Sequence, residues 1–193
     1  MARLVAGPAV AIVVMGVTGC GKTTVGALLA QRLEVPYLEA DDFHPAANVA
    51  KMKAGIPLTD EDRRPWLAAI AQRITADTDR RPVVSCSALK RRYRDLLRQA
   101  DPRIWFLLLA IDKATAAQRV AARPDHFMPA SLVASQFADL EPLCGEPGYT
   151  VDATWPPPDI ATAAVRQLIV DGLHPAFVRA GLPRAGLGGG GLR

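Results

Sequence analysis

Residues 16–23, Gly-Val-Thr-Gly-Cys-Gly-Lys-Thr, satisfy the pattern G-x-x-x-x-G-K-[ST] at every position. Glycines in such a loop let the chain turn so that successive N–H groups point inward at phosphate oxygens. A lysine in the place of Lys22 reaches the outer phosphates, and a hydroxyl in the place of Thr23 can ligate Mg²⁺. The chemistry implied is capture of a nucleotide's phosphates by Gly16, Val17, Thr18, Gly19, Cys20, Gly21, Lys22, Thr23 and Thr24, with Thr23 as the metal ligand. The bland alternative is a glycine-rich turn with a chance lysine. Context argues against it: AVAIVVM (9–15) ahead of the loop reads as a buried strand, and KTTVGALLAQRL (22–33) behind it as a helix. That helix adds the positive end of its dipole to the loop.

Phosphate loops serve GTPases and motor ATPases as well as kinases, so further groups must decide. Asp112, closing FLLLAID, reads two ways: a metal-binding acid at a strand end, or the N-cap of a helix beginning near Ala114. DKAT lacks the asparagine of a guanine-reading motif. Small phosphate-loop kinases instead place a carboxylate after the second strand, where this chain offers Asp41 and Asp42.

The elements that must position these groups alternate. PYLEA (36–40), PVVSCS (82–87), RIWFLLLAI (103–111) and TVDAT (150–154) read as further strands. A helix is expected from about Asp60, where LTDEDRRPWLAAIAQRI sets capping residues ahead of an apolar stripe. Others are expected over 88–100, 114–123, 128–140 and in DIATAAVRQLIVDG. The stretch after Asp41 is long and polar and carries no expected element of its own. Strands alternating with helices predict βαβ units, a parallel sheet covered on both faces and an α/β fold.

Composition sets bounds. The 193 residues suit one domain, and half of them are hydrophobic. A net charge of +4 favours anionic ligands without marking a nucleic-acid binder. Arg91, Arg92, Arg94 and Arg98 are expected on a solvated helix face, with no aromatic platform for bases beside them. Cys20, Cys86 and Cys144 have no metal-ligand spacing and suit a reduced, cytoplasmic setting. The apolar run at 9–15 is too short to span a bilayer, and it leads into a glycine loop rather than a cleavage site. No membrane partner is expected. The domain is expected over 1–171, with a Gly-rich, flexible tail over 172–193.

Four stretches together resemble the gluconate kinase family, small phosphate-loop kinases related to shikimate kinase. They are GVTGCGKTT, EADDFHPAANVAKMKAGIPLTDEDRRPWL, VVSCSALKRRYRDLLR and ARPDHFMPASLVASQFADLEPL, and the resemblance covers roughly 9–170. It implies a three-layer phosphate-loop fold with a five-stranded parallel sheet of order 2-3-1-4-5 and a helical lid. It implies ATP- and Mg²⁺-dependent phosphorylation of D-gluconate to 6-phospho-D-gluconate, feeding the pentose phosphate pathway, and a homodimer.

On that resemblance Asp41 takes the catalytic place, accepting or orienting the proton of the attacking hydroxyl. Its own bland role is a turn or helix cap. His44 in DDFHP would hydrogen-bond the sugar acid. A gluconate carboxylate calls for a fork-shaped cation; Arg63 is the first candidate, with Arg64 and Lys51 after it, against ordinary surface pairs with Asp60, Glu61 and Asp62. Ser87 and Lys90 follow the third strand and would face the acceptor, whereas Cys86 reads as a small buried hydrophobe. Arg119 and Arg123, four apart, would bring two guanidiniums to the transferring phosphate from the lid. His126 would contact substrate or pack the lid hinge, and the match at Ser135–Phe137 carries no readable chemistry. Two rivals stay open: a kinase for another anionic polyol such as shikimate, and a nucleotide-binding module that has lost transfer.

Overall fold

The structure is a computed structural model that describes residues 10–76, 80–122 and 130–174. Its elements are β1 (Ile12–Met15), α1 (Lys22–Leu33), β2 (Tyr37–Glu39), a 3₁₀ turn (Ala40–Phe43), α2 (Ala46–Lys53), α3 (Asp60–Ala76), β3 (Val83–Ser85), α4 (Arg91–Arg98), β4 (Trp105–Ala110), α5 (Lys113–Ala121), α6 (Ala130–Asp139), β5 (Gly148–Asp152) and α7 (Pro157–Val170).

The five strands form one parallel sheet in the order β2-β3-β1-β4-β5. β1 lies at its centre, with Ile12 opposite Val83 on one side and Trp105 on the other. Side chains alternate faces along a strand, so β1 feeds two cores. Ile12 and Val14 pack with Val25, Leu29 and Leu33 of α1 and Ile160, Ala164 and Leu168 of α7. Val13 and Met15 pack with Trp66, Leu67, Ile70 and Ile74 of α3 and Tyr93 and Leu97 of α4. Burial on both faces explains why β1 and β4 read as unbroken apolar runs. The three layers and the strand order are those expected of a phosphate-loop kinase.

Several boundaries differ from expectation, for identifiable reasons. α2 stands in the polar stretch where no element was expected. α3 begins as expected at Asp60 behind a capping box: Thr59 Oγ1 accepts from the Asp62 N–H (3.2 Å) and Asp62 Oδ2 from the Thr59 N–H (2.9 Å). α4 starts at Arg91 rather than at residue 88, because Ala88 is left-handed (φ 41°). The Arg94 guanidinium also takes up the Ala88 and Leu89 carbonyls, at 3.2 and 2.9 Å. Arg94 itself departs from the expected solvated face. It is fully buried, and it grips Glu146 through Nε (2.9 Å) and Nη2 (2.6 Å). Asp112 is an N-cap, accepting from the Thr115 N–H at 2.9 Å. At the C-terminal end, His174 is buried and the Leu173 N–H bonds the Leu168 carbonyl (2.9 Å), so residues 172–174 dock on α7. The rest of the expected tail lies outside the described residues.

Candidate active site

Loops after β1, β2, β3 and β5 all leave the sheet at the carboxyl ends of parallel strands, the edge where open α/β sheets bind ligands. The phosphate loop turns there through left-handed glycines. Gly19 has φ +81°, and a Cβ on it would lie 2.7 Å from the Ala116 carbonyl oxygen, so no other residue fits. Lys22 Nζ donates across the loop to the Val17 carbonyl at 3.1 Å. The Thr18 N–H donates to Gln136 Oε1 on α6 at 2.7 Å.

At the start of α1, Thr23 Oγ1 donates to Glu39 Oε2 (2.9 Å), which also accepts from the Tyr37 hydroxyl (2.7 Å). That hydroxyl lies 2.9 Å from Ser85 Oγ, itself 3.0 Å from the Lys22 carbonyl. Burial pushes the Tyr37 phenol well above its usual range, so it stays a neutral donor to Glu39. Helix α1 comes this close because its residue 26 is glycine: a Cβ there would sit 2.6 Å from Ser85 Oγ.

Asp41 sits in the 3₁₀ turn with its side chain 78% exposed. Together with Lys22, Thr23, Glu39, His44, Arg63, Ser87 and Gln136 it lines one cavity of about 160 Å³. The structure thus brings Asp41, His44, Arg63 and Ser87 together with the phosphate loop. His44 stacks on Trp66 (centroids 4.2 Å apart, planes within 12°), whose indole N–H is fixed on the Ala40 carbonyl at 2.7 Å. Burial lowers the His44 pKa, Asp41 pulls it back up, and Arg63 adds to the lowering. Arg63 faces the cavity while donating to the Leu58 carbonyl (2.7 Å) and the Tyr93 hydroxyl (3.0 Å). Its Nη2 is 3.7 Å from Asp139.

Two expected acceptor residues stand behind this wall rather than in it. Lys51 Nζ is bound to both oxygens of Asp62, at 2.7 and 2.8 Å. Lys90 is bound to Asp139 at 2.9 Å, which raises its pKa despite partial burial, and lies 3.6 Å from Asp60. Arg119 opens on a second cavity instead, with Thr24, Trp155 and Pro157, and donates to the Ala153 carbonyl at 3.0 Å. Arg123 and His126 lie outside the described residues. Cys86 is buried and its thiol is pushed up to about 12 by that burial, unsuited to nucleophilic work.

Reading the sequence alone missed Glu39, Gln136, Trp66 and Trp155. Glu39 had one available signal: it is a carboxylate at the carboxyl end of a strand, two residues before Asp41. The partners of Gln136 and Trp66 are set by tertiary packing and leave no such local mark.

The shikimate kinase family pattern matches residues 18–137, from within the phosphate loop to just past Gln136. A gluconokinase of Gluconobacter oxydans (strain 621H) is 49% identical over 132 residues, 67% of this chain and 74% of that protein. The thermosensitive gluconokinase of Escherichia coli (strain K12) is 44% identical over 131 residues, 67% and 70% of the two chains. The chain belongs to the gluconokinase family. The crystal structure of a gluconokinase from Sinorhizobium meliloti 1021 superposes with a TM-score of 0.77 at 43% identity, covering 86% of this chain and 96% of that one. Gluconokinases of this group are phosphate-loop kinases and use a nucleotide, ATP. Among the described residues no helix is long and apolar enough to cross a membrane.

Proposed function

We propose that this gluconokinase transfers the γ-phosphoryl group of ATP to the terminal hydroxyl of D-gluconate, with Asp41 aligning that hydroxyl. The observation that carries the reading is the shared cavity: Asp41 and the phosphate-loop residues Lys22 and Thr23 face one space. A loose phosphoryl-transfer transition state needs alignment and positive charge more than it needs a strong base. Lys22 supplies charge at the outer phosphates, the loop N–H groups bind their oxygens, and Asp41 accepts or directs the hydroxyl proton. Arg63, half-buried at the cavity edge, supplies a guanidinium for the acceptor carboxylate. Ser87 adds a hydroxyl, and Lys90 and Lys51 act from behind through Asp139 and Asp62.

The residues also fit Mg²⁺. Thr23 Oγ1 and Glu39 offer hard oxygen donors 2.9 Å apart beside the loop. Among the described residues no cluster of three or more acids, histidines or cysteines forms a closed metal cage. That suits an ion held partly by phosphate oxygens and water. When bound there it would neutralise charge on the outer phosphates; Glu39 and Thr23 would hold it.

The second cavity suits the base. Trp155 is 46% exposed and stands with the Arg119 guanidinium beside Thr24, offering a flat apolar face and a cation for a purine. Arg119 therefore serves ATP from the base side, and Arg123 is left as the lid arginine for the transferring phosphate. Arg123→Ala is expected to lower kcat more than it raises KM for gluconate, as loss of a contact made late in transfer does. An unchanged kcat would remove it from that role. The free thiols of Cys20, Cys86 and Cys144 support a reducing, cytoplasmic setting.

The reading is tested by an acceptor screen following γ-phosphate transfer from ATP. Gluconate should show a far higher kcat/KM than shikimate, a nucleoside monophosphate or neutral glucose, because only gluconate pairs a carboxylate with Arg63 at the right reach. Glucose equal to gluconate would overturn anion recognition. ATP turnover independent of any acceptor would favour the non-transferring module.

A further inference from the structure

We propose that Asn48 acts as a positioning residue that fixes His44 as an Nε2–H donor, aimed at the acceptor hydroxyl next to the one that reacts. The identity of that hydroxyl rests on the polyol reading of the pocket; the tautomer does not.

The argument starts at Asn48, a buried residue (3% exposed) on the short helix α2. Its Nδ2 donates to the Asp62 backbone carbonyl at 2.7 Å. That bond fixes the amide orientation, because a flipped amide would set its oxygen against the carbonyl oxygen at the same distance. The same Nδ2 lies 3.4 Å from His44 Nδ1. A donor facing Nδ1 requires that nitrogen to be bare, so the ring proton belongs on Nε2. From the other side Nε2 lies 3.9 Å from Asp41 Oδ1, where a carboxylate favours an N–H over a lone pair. The ring cannot turn away: it is stacked on Trp66, and its side chain is 4% exposed. The charged groups facing the imidazole are Asp41 from its own turn and Arg63 from α3. Lys51 of α2 is already paired with Asp62.

The consequence is a directional donor whose N–H opens beside Asp41. With Asp41 on the reacting hydroxyl, Nε2–H faces the neighbouring hydroxyl of the chain. A site that donates to one hydroxyl rejects an acceptor lacking it, because the donor is then left unpaired. Asn48 thus acts on specificity without touching substrate.

Two experiments test this. The first uses the full-length enzyme without substrate, labelled with ¹⁵N in its imidazoles and read by long-range ¹H–¹⁵N NMR at pH 7. His44 is expected as the Nε2–H tautomer. In Asn48→Asp a carboxylate faces Nδ1, so the proton should move there or the ring should become imidazolium. A wild-type ring protonated on Nδ1, or a folded Asn48→Asp with the ring unchanged, would overturn the proposal. The second experiment stands if Asn48→Asp does not fold. Glutamine can place an N–H where Nε2 has one, and asparagine cannot. His44→Gln should therefore exceed His44→Asn in kcat/KM for gluconate by about tenfold, the worth of one hydrogen bond of about 1–1.5 kcal/mol. The gap should close with 5-deoxygluconate. Equal losses in both variants would overturn the donor role. If wild type turns over no gluconate, the polyol reading fails while the NMR result still decides the tautomer.

Discussion

Lys22 rests its ammonium on the Val17 carbonyl, so the group that is to meet a phosphate is meanwhile satisfied within its own loop. Lys22→Ala should leave the fold intact and lower turnover by about 10²–10³, the usual cost of losing one transition-state charge contact. Near-normal turnover of the purified variant would refute the assignment of the loop. Asp41 is exposed and bears no packing load, so Asp41→Asn should fold and bind ATP normally. It cannot accept the proton, and transfer should fall by about 10²–10⁴. Wild-type turnover would remove Asp41 from the mechanism. His44 makes a separate prediction about stability. Its pKa is lower in the folded protein than its ordinary value near 6.5, so just below that value the unfolded chain binds the proton and the folded chain does not. Stability from this group is therefore full above about pH 6.5 and is lost as pH falls toward the depressed value. Thermal melts of wild type and His44→Gln at pH 5.5 and 7.5 should show the larger acid loss in wild type. Equal losses would mean that His44 titrates alike in both states.

Helix α6 is hydrogen-bonded to the phosphate loop by Gln136, whose oxygen takes the Thr18 N–H. In the proposed reading of the loop a phosphate oxygen takes the same N–H, and nucleotide would then displace the amide. Gln136→Glu places a carboxylate where phosphate arrives and should weaken ATP binding by about tenfold or more, at least 1.4 kcal/mol, in calorimetric titration. An unchanged affinity would place Gln136 away from the phosphates. The same scale shows what the sequence made legible. The apolar runs of β1 and β4 and the capping residues ahead of α3 were readable because their causes are local. The strand order came through family resemblance, since periodicity says nothing of which strand lies beside which. Helix α2 was not readable: Asn48 is its buried residue, so AANVAKMK carries no apolar stripe to betray it. Residues 88–90 look helical, yet a guanidinium from the next turn captures the Ala88 and Leu89 carbonyls. Around the cavity, the neighbourhood of Lys22, Thr23 and Asp41 was legible from motif and strand ends; their roles there belong to the proposed function. Gln136 and Thr18 meet across 118 positions of chain, and Lys51 and Lys90 are drawn off by Asp62 and Asp139, partners that spacing alone does not reveal.

Across the whole molecule one buried ion cluster ties the acceptor side to the far edge of the sheet. Glu146, 2% exposed at its side chain, takes the Arg94 fork and Arg98 Nη2 at 2.5 Å. Arg94 also holds the Glu141 and Pro142 carbonyls, at 3.2 and 3.3 Å, so α4 is bound to the chain that follows α6. Burial pushes the Glu146 pKa up, but the two guanidiniums outweigh it and hold it down at about 2. Its contribution is present above the ordinary carboxylate range near 4.3 and is lost as pH falls from there toward about 2. Glu146→Gln should destabilise by about 3–5 kcal/mol in urea at pH 7, because it leaves buried guanidiniums uncompensated. Loss of less than about 1 kcal/mol would mean that water reaches the cluster. The central place of β1 has a different consequence, one of timing. As the chain leaves the ribosome, Ile12–Met15 emerges first among the described strands, yet its partners Val83–Ser85 and Trp105–Leu108 are synthesised far later. Until then an apolar strand has two open edges and no neighbour, and this is the state in which nascent chains of parallel α/β proteins are captured by chaperones or aggregate.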